Sequence, residues 1–263
     1  MGAGTEDFIK YPKTPHLHGS KIAADDKMLS EMATKKLLAT KTVDFVWESK
    51  LDGTNVGISL DANGELRLQN RGHILTHGEH PQYNIFRSWA YTFLDRLREV
   101  LTTKYVVYGE WCYAVHSIKY TSLPHYFNEF DIYDREEKKF LSTPIRRQIL
   151  EGLVKDRILA QVPVVYPEKV MGYGDSGVLS LEAARKLMVE HGPMYGEEKP
   201  EGLYLKVEKK GEVIGRYKLV RDEFIQKIID DNIHWKDRAI EVQGLADGFD
   251  IFSPARTEEK EDS

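Results

Sequence analysis

The chain has 263 residues, of which 41% are hydrophobic and 30% charged, enough for one large domain or one domain plus a small appendage, and not the composition of a disordered protein. A single cysteine, Cys112, excludes an intramolecular disulfide and suits a reducing, cytoplasmic setting for a soluble protein. No apolar run approaches the roughly 20 residues that cross a membrane, and residues 1–7 lack the basic-then-apolar pattern of a signal peptide. The net charge of −5 argues weakly against a polyanionic partner, but its distribution matters more than its sum. Residues 257–263 form an acidic tail, while Lys206, Lys209, Lys210, Arg216, Lys218 and Arg221 make a basic stretch against Glu208 and Glu212. Taken alone, that stretch reads as a solvated strand face.

In chain order, residues 43–49 (VDFVWES) alternate and predict a strand arriving at Lys50. Residues 55–60 and 65–69 flank Asp61-Ala62-Asn63-Gly64, whose Asn-Gly pair supplies the positive φ of a hairpin turn. Ile85, Trp89, Phe93 and Leu97 recur at four-residue steps, which predicts one amphipathic helix over 84–100 with these side chains in the core. Strands are expected at 104–111 (KYVVYGEW) and 127–133 (FNEFDIY). Ser142-Thr143-Pro144 then opens a helix through about residue 155. A short strand at 161–166, a helix at 180–191 and a second hairpin at 202–208 and 212–219 around Lys209-Lys210-Gly211 come next, before a helical pattern resumes after Arg221. This order is α+β with mainly antiparallel sheet. Neither GxGxxG nor GxxxxGK[ST] occurs; the glycine-rich run 172–177 lacks the following Lys and reads as a plain loop.

Lys50-Leu51-Asp52-Gly53-Thr54-Asn55 places a lysine where a strand ends and a glycine turn begins, so that it projects from a rigid scaffold. K-x-D-G alone is a common surface pattern. It gains meaning from the ordered motifs downstream: NRG at 70–72, YGEW at 108–111, EFDIYD at 129–134, EGLYLKV at 201–207 and RYKLV at 216–220. This succession, over about residues 44–221, resembles the covalent nucleotidyltransferases that comprise ATP-dependent ligases and capping enzymes, and within them the RNA ligase 2-like family.

The resemblance implies a fold and a chemistry. The fold would be a ligase-type adenylation domain of antiparallel sheets flanked by helices over residues 43–221, with no OB-fold. Residues 1–42 would be an extension packed on it, including an extended segment at Lys10–His16 whose Lys and His residues touch RNA; residues 222–263 would be a short helical segment and tail, with Phe249 onward in the tail. Lys50 would attack the α-phosphate of ATP and carry AMP. Asn55 would contact the nucleotide or the RNA end, Arg71 phosphate, Glu110 the ribose hydroxyls, and Phe130 the adenine ring, with Asp131, Asp52 and Gly53 supporting the site. Glu48 would approach the adenine edge, Glu201 would help hold Mg²⁺ or Mn²⁺, and Lys218 with Arg216 would grip the triphosphate. Arg216 stands where the family more often has Lys, which keeps the charge but changes the geometry. The partners implied are a 5′-phosphate and a 3′-hydroxyl RNA end. Asn55 stands where DNA ligases and capping enzymes typically carry Arg, which favours RNA over the alternatives of a DNA nick ligase or a guanylyltransferase. A non-catalytic nucleotide- or RNA-binding domain is the remaining alternative.

A lysine with the ordinary pKa near 10.4 is only about 0.04% neutral at pH 7. The expectation is therefore that burial beside Lys218, Arg216 and a divalent cation depresses the Lys50 pKa. His73, His77 and His80 are spaced as three zinc ligands on one helix face would be, but Gly72, Gly78 and Pro81 break a helix there. The preferred reading is loop histidines near substrate phosphate, and His116 and His125 are candidates to face the substrate as well.

Overall fold

The alternation over residues 43–49 produces β1 (Asp44–Lys50) in the computed structural model, which describes residues 8–20, 26–167, 180–230 and 239–253. The glycine-rich run 172–177 and the acidic tail lie outside the described residues. β1 is paired on both edges, with β8 (Val164–Tyr166) and with β9 (Gly202–Lys209), which in turn pairs with β10 (Glu212–Val220). The turn between β9 and β10 has positive φ at both Lys210 and Gly211, as a tight hairpin demands. The resulting antiparallel sheet has the order β10-β9-β1-β8.

A second sheet begins immediately after the lysine. Its strands β2 (Thr54–Leu60), β3 (Leu66–Asn70), β4 (Tyr105–Trp111), β5 (Phe127–Asp134) and β6 (Lys139–Phe140) run in the order β3-β2-β4-β5-β6, and β7 (Ala160–Gln161) adds to β5 in parallel. The three residues Leu51–Gly53 are thus the link on which the chain leaves one sheet and enters the other. Gly53 fits because a Cβ there would lie 2.8 Å from the Trp111 carbonyl oxygen.

Alternating side chains of the first sheet serve two purposes. Phe45, Trp47, Leu203, Leu205 and Leu219 share one core with Leu38 of α1 (Glu31–Leu38) and with Leu181 and Ala184 of α5 (Leu181–Glu190). Both helices begin at a serine whose Oγ accepts a backbone N–H, Ser30 from Ala33 and Ser180 from Ala183. The intervening residues Glu48, Lys206 and Arg216 point toward the second sheet, where they meet Asp131 of β5 or its partners. The second sheet packs its other core against α2 (Gln82–Thr92), α3 (Leu94–Leu101) and α4 (Thr143–Lys155), with Phe86, Trp89, Trp111 and Phe127 stacked at ring separations of 5.0–6.1 Å.

Four expectations change. The helix predicted over 84–100 is two helices, interrupted at Phe93, whose φ of −108° and ψ of +24° leave the helical region. The strand at 161–166 is divided, since Pro163 between β7 and β8 has no N–H to give. The basic stretch 206–221 is not simply a solvated face: Lys206 is fully buried and only 10% of the Arg216 side chain is exposed. After Arg221 the described residues include a helix, α6 (Asp222–Asp230), but 241–245 run against 113–123, and Ile251, expected in the tail, is buried.

Between the sheets lies a charge network. Arg146 of α4 sits in a salt bridge with Glu48 and at 2.7 Å from Glu129, Lys206 reaches Glu48 at 3.0 Å and Asp131 at 3.4 Å, and Arg216 reaches Asp131 at 2.9 Å. Carboxylates and cations are equal in number, so removing one partner exposes the full cost of the charge left behind. Replacing Arg146 with Met is expected to lower stability by about 3–5 kcal/mol in urea unfolding, and a loss below about 1 kcal/mol would show that the network is dispensable.

Candidate active site

Where the two sheets diverge they leave a cavity of about 600 Å³, the size of a small-molecule site. Lys50, at the end of β1, lines it. Its ammonium donates a short hydrogen bond to Glu201. Backbone pairing brings the two together, since the Glu201 N–H donates to the Lys50 carbonyl at 3.1 Å and Gly202 stands opposite Lys50 in the ladder. Gly202 is needed there, because a Cβ would lie 2.1 Å from the Leu219 carbonyl oxygen of the neighbouring strand. Arg221 steadies the approach by donating to the carbonyls of Pro200 and Lys199 at 2.7 and 3.0 Å.

The expectation of a depressed Lys50 pKa does not hold for the ligand-free site. Burial pulls it down, but Glu201, Glu110 and Asp52 outweigh burial and hold the amine more firmly protonated than a free lysine. The cations expected to oppose it are engaged elsewhere. Lys218 lines the cavity but pairs with Asp26 at 3.0 Å. Arg216 does not line it; its guanidinium lies 3.8 Å from the Phe140 ring centre and is bound to Asp131.

The carboxylates show the reverse strain. Burial, reinforced by Glu201 and Asp52 against the pull of Lys50, pushes Glu110 up to about 8. Burial pushes Asp52 up to about 6, although its Oδ2 accepts the backbone N–H groups of Ser117 and Ile118 at 2.7 and 2.8 Å. Among the described residues no three His, Cys, Asp or Glu side chains form a ready metal cage. Three carboxyl groups around a single ammonium, two of them with raised proton affinity, suit a divalent cation that takes one or two protein carboxylates and completes its shell with phosphate and water.

The other expected residues divide into two groups. Asn55, Arg71, Glu110, Phe130 and Gly53 line the cavity. Asn55 Oδ1 is buried without a hydrogen-bond partner among the described residues. Arg71 is presented by a turn in which Asn70 Oδ1 accepts from the N–H groups of Gly72 and His73 at 2.7 and 3.0 Å. Glu48 also lines the cavity, but its carboxylate is held by Arg146 and Lys206. Asp131 lies beneath: burial raises its pKa, but Arg216 and Lys206 outweigh burial and bring it down to about 2.

Several lining residues come from outside the motifs. The segment before α1 crosses the cavity, and Tyr11 donates to Asp131 at 2.6 Å and shares a 2.9 Å hydrogen bond with Tyr204. Lys13 and Thr14 line the cavity too, and Pro12 accepts from Arg71 at 3.2 Å. That segment continues as a parallel partner of β10, with Leu17 donating to Lys218 and Lys218 to Pro15 at 2.9 and 3.0 Å. Only Tyr11–Pro12–Lys13, an aromatic and a lysine in an extended segment, signalled this in the sequence. Of the histidines, His116 lines the cavity beside Thr54 at 3.3 Å. His125 does not face a substrate: it is 1% exposed, packs on Trp89, and is pushed by burial down to about 3. His73 meets Glu79 at 2.9 Å in a loop, and His73, His77 and His80 are not on a helix.

The Glu110 shift sets a pH dependence. Its carboxyl binds a proton more tightly in the folded protein than at its ordinary value of 4.5, so the stabilisation is complete below about pH 4.5 and is lost as pH rises through about 8. The melting temperature of the nucleotide-free protein should therefore fall relative to that of Glu110→Gln between about pH 5 and pH 8. A constant difference between the two would refute the shift.

The architecture recurs among solved structures. Naegleria gruberi RNA ligase with PPi superposes with a TM-score of 0.55 at 18% identity, covering 82% of this chain and 62% of that one. A mutant of that ligase with ATP and Mn gives 0.53 at 17% identity, with 82% and 61% covered. Another, with AMP and Mn, gives 0.54 at 15% identity, with 81% and 61% covered. This chain thus spans about three fifths of the length of those structures, and at such identities the likeness is one of fold. A search among curated protein sequences finds no match. The RNA ligase family model matches residues 43–220, the span that holds both sheets and Lys50, and the chain is a member of the RNA ligase family.

Proposed function

We propose that the protein is an ATP-dependent RNA ligase that works through an AMP-carrying lysine. The observation that carries this reading is the Lys50 amine, paired with Glu201 and lining a nucleotide-sized cavity together with Glu110 and the cations Arg71 and Lys218. Phe130 offers a ring for adenine, Asn55 an unused acceptor, and Glu110 a carboxylate for ribose hydroxyls. RNA ligase structures of the same fold hold ATP with Mn and AMP with Mn.

Before attack Lys50 must lose a proton, and the Glu201 carboxylate is the group within hydrogen-bonding distance of it. Glu201, with Glu110 and Asp52 close by, would hold Mg²⁺ or Mn²⁺, which when bound offsets their charge and that of the phosphates. The free amine then donates its lone pair to the α-phosphorus of ATP. A phosphorus–nitrogen bond forms, the bond to the bridging oxygen breaks, and pyrophosphate departs with that electron pair. Arg71 and Lys218 are the cations placed to bind the phosphates, provided Lys218 exchanges Asp26 for phosphate. The AMP then passes to a 5′-phosphate RNA end, and a 3′-hydroxyl displaces it to seal the strand.

Incubation with α-labelled ATP and a divalent cation should leave label on the wild-type protein after denaturing electrophoresis and none on Lys50→Ala, while the variant should still seal pre-adenylylated RNA. Label retained by Lys50→Ala would refute the mechanism, and preferential labelling by GTP would point to a capping enzyme. Phe130→Ala should raise the ATP concentration for half-maximal labelling on the order of tenfold through lost stacking; an unchanged value would remove Phe130 from the base site.

A further inference from the structure

The last described stretch of the chain carries a residue that no motif includes. Gln243 is 2% exposed and grips the loop between β4 and β5 at four points. Its Oε1 accepts from the Tyr120 N–H at 2.7 Å, and its Nε2 donates to the Ile118 carbonyl at 2.8 Å. Its backbone N–H donates to Tyr113 at 2.9 Å, and its carbonyl accepts from the Tyr126 hydroxyl at 2.9 Å. Flanking residues extend the clasp. Glu241 accepts from Val115 at 2.8 Å and pairs with Lys119 at 2.6 Å, and Gly244 accepts from Leu123 at 2.9 Å.

The loop so held also supports the nucleophile. Two of the residues bound by the Gln243 side chain bear directly on Asp52: the Ile118 N–H donates to Asp52 Oδ2, and the Tyr120 hydroxyl accepts from the Asp52 N–H at 2.9 Å. Asp52 lies two residues after Lys50, on the link between the sheets. We infer that Gln243 is a positioning residue for lysine adenylylation, acting through Ile118 and Tyr120 on Asp52 and thereby on the placement of Lys50. The inference rests on the ligase reading above. Lys50 ends the ladder with β9, and no ladder fixes Leu51–Gly53 just past it, so the path on which the chain leaves the lysine, and the place of the Asp52 carboxyl whose charge acts on it, depend on the groups that hold Asp52.

A side chain that only holds the fold together would change stability; one that places the nucleophile changes the rate at saturating ATP. Self-adenylylation of the full chain is followed with α-labelled ATP and Mg²⁺ over a range of ATP concentrations, for wild type, Gln243→Met, Tyr120→Phe and Val242→Ala. Val242 is a neighbour on the same segment with a 45% exposed side chain and serves as control. The expected result is a rate at saturating ATP lowered about tenfold or more in Gln243→Met, with the half-saturating ATP concentration within about twofold of wild type and Val242→Ala unchanged. A wild-type rate in folded Gln243→Met overturns the inference, as does a change confined to half-saturation or an equal loss in Val242→Ala. Should Gln243→Met fail to fold, Tyr120→Phe decides: a slowed rate supports the inference and a full rate overturns it. If the wild-type protein takes no label, the ligase reading itself fails and the inference with it; a labelled wild type with an unimpaired Gln243→Met removes the inference alone.

Discussion

Arg146 holds Glu48 of one sheet and Glu129 of the other on a single guanidinium, and everything in the cavity above depends on that span. Two sheets that only packed apolar faces together would slide and close. A buried planar cation with fixed directions specifies both separation and register, at the cost of stripping water from each charge. Lys206 and Arg216 complete the set, so that the floor of the cavity is charge-balanced while its contents are not. The floor is inert and the acidic cluster around Lys50 is left with unspent attraction for cations and protons.

That division explains the opposite behaviour of chemically similar groups a few residues apart. Burial pushes both carboxyl groups up, but two cations meet Asp131 and bring it down to about 2, whereas Glu110 has only Lys50 to set against burial and the nearby carboxylates and rises to about 8. Lys50 is caught between these tendencies and remains protonated for as long as the cluster has no other positive charge. The ligand-free protein thus holds its amine protonated.

Local chemistry was legible in the sequence and long-range pairing was not. The Asn63-Gly64 and Lys210-Gly211 turns, the Pro144 helix start and the lysine at the strand end are set by neighbours within a few residues, and each lies where the local rules put it. The break at Phe93 escaped because its apolar spacing continues across two helices that lie against one core. Helix α1 has an ordinary serine cap but little else to mark it, and Lys206 looked like one more surface lysine in a basic run. Arg146 carries no local sign of its pairing with Glu129 or with Glu48, the latter 98 residues away. The motif residues were found through resemblance, and the structure gathers most of them around one cavity; Arg216 is the one whose expected phosphate role meets a different setting, beneath the floor and bound to Asp131.

The Tyr11 hydroxyl, bound to Asp131 and Tyr204, bears on where this chain can be trimmed. The stretch recognisable by family likeness ends at residues 43 and 220, yet Tyr11 precedes it and Gln243 comes after it. A fragment trimmed to those limits would keep every motif and lose one wall of the cavity together with the clasp on the loop behind the lysine. The folded unit is therefore wider than the unit of recognisable ancestry, with residues from both flanks packed back onto it.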